Sequence, residues 1–537
     1  MASPPRRHPL IAGTIITSLG TLLSRGLGLL RDMSTAWLLG ASRGGVADAF
    51  LVAFRVPNLF RQLFGEGALT ASYLPVLTLQ LEKDRHVARQ LASVVVTLLA
   101  VVLIVLVACG ELLIGAIGYF WGDVPGMSLL LGLTAVMLPY LLLICIAAQL
   151  TTMLYAAQHF TVPALAPTML NIVWLIAALG VAPRFCEQAT KAYVLAIGVL
   201  VSGVAQIVVQ LPMLGRMGYR FHYHWPAARE GVRRVLRNMA PTVVGLSIVQ
   251  MNVLMDSMIA WGLAASSQGP QTIAWLGNVP YPMKQGAAAV IYFGDRICEF
   301  PLGLVGTAVA VAIFPLLSKH AARGEMDRLG KDMTLGLKLV LYLGVPASAG
   351  LYLLAEPITR LLFQYGEFHG GDTLRAARMV AWYGIAVWAY CGLQVLVRGF
   401  YALEKYQTPV RVGAWMVGLN LSLNLSLIWP FAEAGLALST AVCAGLQFVI
   451  LAALFFHKAC LDVRPLLLTI VRAVVATAIM AWLVVWVDDQ LPEVDTMVHR
   501  LLQVGIPATA GAAVYCTVYR LLGGREFDML LSGRSEE

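Results

Sequence analysis

Arginine is costly in lipid, yet this chain places several in apolar surroundings. The stretch "SLGTLLSRGLGLLRDMSTAWLLGA", residues 18–41, carries Arg25 and Arg31 six positions apart among residues suited to a membrane. Each arginine near mid-span costs roughly 2.5–3.5 kcal/mol to insert, so it normally faces protein or an aqueous cavity. The first half of the chain adds Asp32, Asp48, Arg55, Arg61 and Glu66 within apolar segments; the second adds Asp256, Asp295, Arg296, Glu299 and Arg398. A guanidinium stays ionised when desolvated, and its planar fork grips phosphate oxygens in pairs. Several around one cavity suit a multiply charged anion, for which diphosphate is a natural fit.

Two plainer explanations compete. Snorkelling, with the stem on lipid and the head at the interface, fits Arg55 and Arg398. Internal pairing, such as Arg31 with Asp48 or Arg296 with Glu299, would neutralise some charges. It cannot neutralise all: the first two apolar segments hold Arg25, Arg31, Arg55 and Arg61 against Asp32, Asp48 and Glu66. On a straight helix Arg25 and Arg31 lie about 120° apart. Both reach one ligand only if the helix bends, as Gly26 and Gly28 allow, or if the cavity wraps around it.

A second constellation consists of hard oxygen ligands. Asp256, the pair Asn420 and Asn424 one helical turn apart, and Thr440 suit Na⁺, and an Asp alone could carry H⁺. Ordinary interhelical hydrogen bonding is the alternative. The eight cysteines are scattered without a CxxC pair and the nine histidines do not cluster, so no metal site or disulfide frame is expected. No cofactor is expected; a coupling Na⁺ or H⁺ is the one small ligand foreseen.

These side chains must be held by membrane helices. The 537 residues are 59% hydrophobic and 12% charged, with mean hydropathy +0.76. Soluble chains carry about 25% charged residues. The apolar residues run in long blocks, which predicts an all-α polytopic membrane protein. About fourteen spans are expected, near 10–39, 46–79, 91–120, 128–156, 162–182, 193–214, 238–264, 288–317, 333–354, 377–402, 409–430, 433–456, 465–487 and 500–522. The loops with most Lys and Arg alternate to one side, so both termini are expected in the cytoplasm. That asymmetry accounts for the net charge of +9 and leaves no case for nucleic-acid binding. No cleavable signal peptide and no separate soluble domain are expected.

The chain also repeats itself. "FGEGALTASYLPVLTLQLEKD" and "LVGTAVAVAIFPLLSKHAARGE" share a layout around Pro75 and Pro315, 240 positions apart. "YAAQHFTVPALAP" and "YALEKYQTPVRVG" align Pro163 with Pro409, 246 apart. Nearly equal offsets imply duplication of a six-helix unit. An even helix number makes the two copies parallel, as in many transporters with a substrate path between halves. The division expected is 1–220 and 221–460 for the six-helix lobes, and 461–537 for two extra helices and a cytoplasmic tail.

"SRGLGLLRD", "DAFLVAFRVPNLFRQLFGEGALTASYLPVL", "PALAPTMLNI", "GDRICEFPLGLVGTAVAVAIFPLLS" and "FYALEKYQTPVRVG" together resemble the bacterial lipid II flippase family (MurJ, also called MviN). The likeness covers about residues 10–456. It implies a MATE-like fold of the multidrug/oligosaccharidyl-lipid/polysaccharide exporter superfamily. It also implies carriage of undecaprenyl-diphosphate-linked peptidoglycan precursor across the bacterial inner membrane by alternating access, for cell-wall synthesis and cell shape. The family's functional arginines fall on Arg25, Arg31, Arg61 and Arg296. Its acidic positions fall on Asp48 and Glu299, with Glu66 and Asp295 as further acidic support. Lipid II, membrane lipids and cell-wall synthesis proteins are the partners implied. The extra helices imply a groove for the polyprenyl tail. Two departures stand out: the stretch 266–290 is long for the family, and Gln62 replaces a second basic residue beside Arg61.

The rivals are an exporter of drugs or of another lipid-linked oligosaccharide, and a membrane enzyme acting on polyprenyl diphosphates. Drug exporters more often use acidic and aromatic cavities. An enzyme needs carboxylates or histidines at metal-binding spacing in a loop, which the short outward loops do not offer. No enzyme activity is expected.

Overall fold

The computed structural model describes residues 9–65, 68–219, 225–266, 269–457, 463–492 and 496–526. Helices α1 (Pro9–Leu39), α2 (Val46–Phe60), α3 (Ala68–Lys83), α4 (Arg85–Trp121), α5 (Met127–Met137) and α6 (Tyr140–Ala156) open the chain. They are followed by α7 (Thr161–Leu165), α8 (Thr168–Leu175), α9 (Gln188–Arg216) and α10 (Trp225–Gly262). The second half runs α11 (Ala287–Pro301), α12 (Thr307–Ala322), α13 (Met326–Leu353), α14 (Ala355–Phe363), α15 (Gly370–Ile385) and α16 (Val387–Ala402). It ends with α17 (Gln407–Phe431), α18 (Glu433–Phe456), α19 (Val463–Gln490) and α20 (Met497–Leu521).

Every expected span falls on one helix or on consecutive helical segments. Among the described residues, ten helical segments are long and apolar enough to cross a membrane, and up to eleven if α15 and α16, bent by 44°, count as one. The long helices α1 and α10 are not among them, and both carry the ionised side chains singled out above. One helix was not anticipated: α14 is only nine residues, with Glu356 and Arg360 paired at 2.9 Å on one side. The loop from α10 to α11 holds short strands, with β1 (Ala264–Ala265) parallel to β4 (Met283–Lys284) and β2 (Thr272–Ile273) antiparallel to β3 (Val279–Pro280).

The chain divides into two compact units, Met1–Ala288 with Tyr365–Phe368, and Ala289–Gln364 with His369–Glu537. Helix α10, which the repeat places in the second lobe, packs on α3 and α4 within the first unit. The core there joins Tyr73, Val76 and Leu77 of α3, Leu91 and Val94 of α4, Met153 of α6 and Val232 of α10. Asp84 starts α4 as its N-cap, accepting from the His86 and Val87 amides at 2.7 and 3.3 Å. The segment Tyr365–Phe368 is held by the Glu367 amide donating to Trp37 O at 3.0 Å and by an Arg43–Glu367 ion pair. A Cβ on Gly366 would sit 2.4 Å from Trp37 O, and its φ is +60°, so glycine is required there.

The two repeat copies share one backbone plan. Helices α2 and α11 each have 15 residues and each run into a five-residue π-helical turn, Arg61–Gly65 and Leu302–Gly306. Helices α3 and α12 follow, 16 residues each, with Pro75 and Pro315 inside. Such turns interrupt the regular ladder and leave carbonyls to be satisfied from outside. In the first copy Cys145 Sγ approaches Phe60 O at 3.8 Å, and Gln149 Nε2 donates to Phe64 O at 3.2 Å. In the second, Thr307 Oγ1 lies 3.4 Å from Leu302 O and donates to Gln394 Oε1 at 2.9 Å. A Cβ on Gly306 would meet Cys391 Cα at 3.0 Å. Cys145 and Cys391 are 246 positions apart, the offset that relates Pro163 to Pro409.

The two extra helices belong to the second unit and pack on α13. Tyr515 OH donates to Tyr342 O at 2.6 Å, and the Tyr342 and Tyr519 rings lie 4.6 Å apart. Beyond α20, the buried Glu526 pairs with Lys338 of α13 at 3.2 Å and accepts from Thr469 of α19 at 2.9 Å.

Candidate anion and cation sites

Helix α1 presents its two arginines to different surroundings, as their helical phase requires. Arg25 is exposed and makes no hydrogen bond or ion pair with the described residues. Arg31 is 6% exposed. Its Nε and Nη2 donate to Asp32 Oδ1 at 3.0 and 2.8 Å, and its Nη1 donates to Asn171 Oδ1 of α8 at 3.4 Å. The guanidinium also lies 5.1 Å from the Trp174 ring centre. Arg31 thus pairs with its neighbour Asp32, and Asp48 accepts from the Gly286 amide at 2.6 Å.

The surroundings of Arg31 are fully tied. Ser34 and Thr35 hydroxyls donate back to the Arg31 carbonyl at 2.7 and 2.8 Å. Trp174 Nε1 donates to Thr35 Oγ1 at 3.0 Å, and its ring meets Phe50 and Phe54 of α2 edge-on at 5.4 and 5.2 Å. Asn171 Nδ2 donates to the Ser24 carbonyl at 3.1 Å, next to Arg25. Asn171 lies within the quoted "PALAPTMLNI", yet neither it nor Trp174 was singled out from sequence. A lone Asn and a Trp in an apolar span were the available signals.

Arg61 opens the first π turn, half-buried, and its Nε donates to Asn58 Oδ1 at 2.9 Å. Arg55 is half-buried six residues earlier, on α2. Glu66 lies outside the described residues. In the second unit Arg296 pairs with Glu299, as the sequence alternative foresaw, with their side chains 33% and 51% exposed. Its guanidinium lies 5.6 Å from the Tyr292 ring, and Asp295 beside it is half-buried. Arg398 rests 5.4 Å from the Phe314 ring.

The oxygen-ligand constellation is distributed between the units. Asp256 belongs to the first, half-buried on α10, with Asn252 Nδ2 at 3.4 Å from its Oδ2. In the second unit Asn424 Nδ2 donates to Asn420 Oδ1 at 2.9 Å, and Asn420 Nδ2 donates to Ser439 and Thr440 hydroxyls at 3.4 and 3.3 Å. Ser439 in turn donates to Asn424 Oδ1. Among the described residues no cluster of three or more His, Cys, Asp or Glu could hold a metal ion.

Residues 35–504 match the family described as lipid II flippase MurJ. A probable lipid II flippase MurJ of Vibrio cholerae is 33% identical over 546 residues, covering 97% of this chain and 97% of that one. Among solved structures, a lipid II flippase MurJ in an inward closed conformation superposes with TM-score 0.74 at 20% identity, over 96% of this chain and 100% of that one. An inward-facing multidrug resistance MATE transporter superposes with TM-score 0.66 at 12% identity, over 80% and 94%. These structural likenesses speak to the fold.

Proposed function

Because this chain belongs to the lipid II flippase family, we propose that it carries undecaprenyl-diphosphate-linked peptidoglycan precursor from the cytoplasmic to the outer leaflet of the bacterial inner membrane. The family match over most of the chain supports the substrate class. The observation that supports the site is Arg25, an exposed cation of α1 with no hydrogen-bond or ion-pair partner among the described residues. In the first unit Arg25 and Arg61 are the contacts for diphosphate oxygens, with Arg31 behind them. Arg296, steadied by Glu299, is the second unit's anion contact.

The chain acts as a transporter and not as a catalyst, and relocation proceeds by alternating access with both termini in the cytoplasm. For energy coupling we propose Na⁺ or H⁺ at Asp256. Asn420, Asn424 and Thr440, hydrogen-bonded among themselves and with Ser439, are further oxygen ligands of the kind Na⁺ takes. Cell-wall synthesis proteins are the partners expected to receive the exported lipid.

Reconstitution in liposomes tests the reading. A leaflet-specific assay should show movement of undecaprenyl-diphosphate-linked disaccharide-peptide by the wild type and little by Arg25→Ala. Equal movement by both would remove the site, and none by the wild type would remove the function. Asp256→Ala should abolish any dependence of that movement on Na⁺ or H⁺ gradients; an unchanged dependence would return Asp256 to a packing role.

A further inference from the structure

The structure assigns to the first turns of α10 a docking site for the headgroup of an anionic phospholipid. The lipid belongs to the leaflet beside the α3–α4 corner, the cytoplasmic one in the orientation proposed above. The site is a ladder of Arg229, Arg233 and Arg237, four residues apart on one side of the helix. With Arg229 set to zero, the three lie at about 0°, 40° and 80° around the axis. Ala228, Gly231, Val232 and Val235 turn to the opposite side and are buried, packed towards α3 and α4. All three arginines are exposed and make no hydrogen bond or ion pair with the described residues. Glu230 borders the ladder at about 100° without pairing to it. Trp225 and Leu236 lie on its other border, at about −40° and −20°, and both are exposed.

The depth of the ladder identifies its ligand. Helix α4 has no charged residue from 91 to 110, a run of twenty, which is the length that crosses a hydrocarbon core. Leu91 therefore marks one face of that core, just past Arg85 and Arg89. A Cβ on Gly231 would lie 2.7 Å from Leu91 Cδ1, so α10 crosses that face at Gly231. Arg229 and Arg233 flank this level by about 3 Å along the axis, and Arg237 lies about 9 Å further in. Side chains on a helix lean towards its N-terminus, so the Arg237 stem runs back to the headgroups. Cations at such a depth are costly unless they meet an anion or water. An exposed tryptophan beside them fits the interface, where aromatic rings settle at headgroup level. A merely solvated charged face would account for the arginines, but not for their alignment with Trp225 and Leu236 at the edge of the core.

Lipid retention tests the site independently of transport. Full-length protein in neutral detergent is titrated with phosphatidylglycerol or phosphatidylcholine, and bound lipid is counted by native mass spectrometry. Arg229→Gln, Arg233→Gln and Arg237→Gln should each weaken phosphatidylglycerol at this site about fivefold, and the triple variant about a hundredfold. The triple variant should then hold one phosphatidylglycerol fewer than wild type, with phosphatidylcholine unchanged. Its melting temperature without lipid should not move, because the ladder has no protein partner among the described residues. The control Lys319→Gln/Arg323→Gln/Lys331→Gln removes three exposed cations of the second unit and should retain the lipid. Equal phosphatidylglycerol binding by the wild type and the triple variant would overturn the site. So would an equal loss in the control, or displacement of the lipid by soluble glycerol phosphate at the same concentration. If the triple variant does not insert, the three single variants carry the same prediction. A wild type that moves no precursor yet shows this pattern would refute the proposed function and leave the site standing.

Discussion

Two arginine–carboxylate pairs, one in each unit, differ almost entirely in burial. Arg31 and Asp32 have side chains 7% and 4% exposed, whereas those of Arg296 and Glu299 are 33% and 51% exposed. The backbone around α2 and α11 repeats to the residue, with 15-residue helices and five-residue π turns. Duplication has thus kept the frame and left the charges to each copy. Position 61 at the start of the first turn is arginine, whereas position 302 at the start of the second is leucine. Burial is what separates them: one pair is enclosed within its unit, and the other is partly open to its surroundings.

The largest effect should come from breaking the interior pair on one side. Asp32→Asn removes the carboxylate that Arg31 grips through two nitrogens and should cost about 3–5 kcal/mol of stability. It would be seen as a lower melting temperature in detergent; an unchanged one would erase the contrast. Arg25→Ala comes next, with about 1.5–3 kcal/mol lost from phosphate binding and none from stability. Lysine there should restore only part of the affinity, because an ammonium lacks the planar fork. Snorkelling would instead leave lysine fully tolerated and alanine harmless.

Smaller effects sharpen the likeness of the two frames. Gln149→Leu deprives the Phe64 carbonyl of its donor and should cost about 1–3 kcal/mol. Thr307→Val, at the matching turn, should fall in the same range or below. A large loss in one copy alone would show that only that turn depends on its side-chain support. Smallest is Glu299→Gln, a half-exposed partner, which should move stability by no more than about 1 kcal/mol. Its effect would be read in transport and not in melting.

The fourteen spans expected from hydropathy all fall on helical segments, of which ten or eleven are long and apolar enough to cross a membrane among the described residues. The repeated prolines revealed the duplicated frame around Pro75 and Pro315. Helix α14 was missed because nine residues interrupted by Glu356 and Arg360 give no membrane-length signal. The π turns were illegible because a shift from i−4 to i−5 bonding is set by neighbours such as Gln149, 85 residues away. The Arg31–Asp32 pair was not foreseen because adjacent residues on a helix do not face each other. The long side chain nonetheless brings Nε and Nη2 onto Asp32 Oδ1, and Asp48 accepts from the Gly286 amide. The arginines stood out in the sequence by their cost in lipid; the burial of Arg31 depends on Asn171 and Trp174, far along the chain.

That distance has a consequence for how the protein is made. Arg31 meets Asn171 across 140 residues of sequence. At a synthesis rate of roughly 5–20 residues per second, α1 waits roughly 7–28 s beside the ribosome before α8 exists to receive it. Through that interval a counter-charge is already present at the next residue. Asp32 can thus serve as an escort as well as a partner, neutralising Arg31 from the moment the nascent helix leaves the exit tunnel.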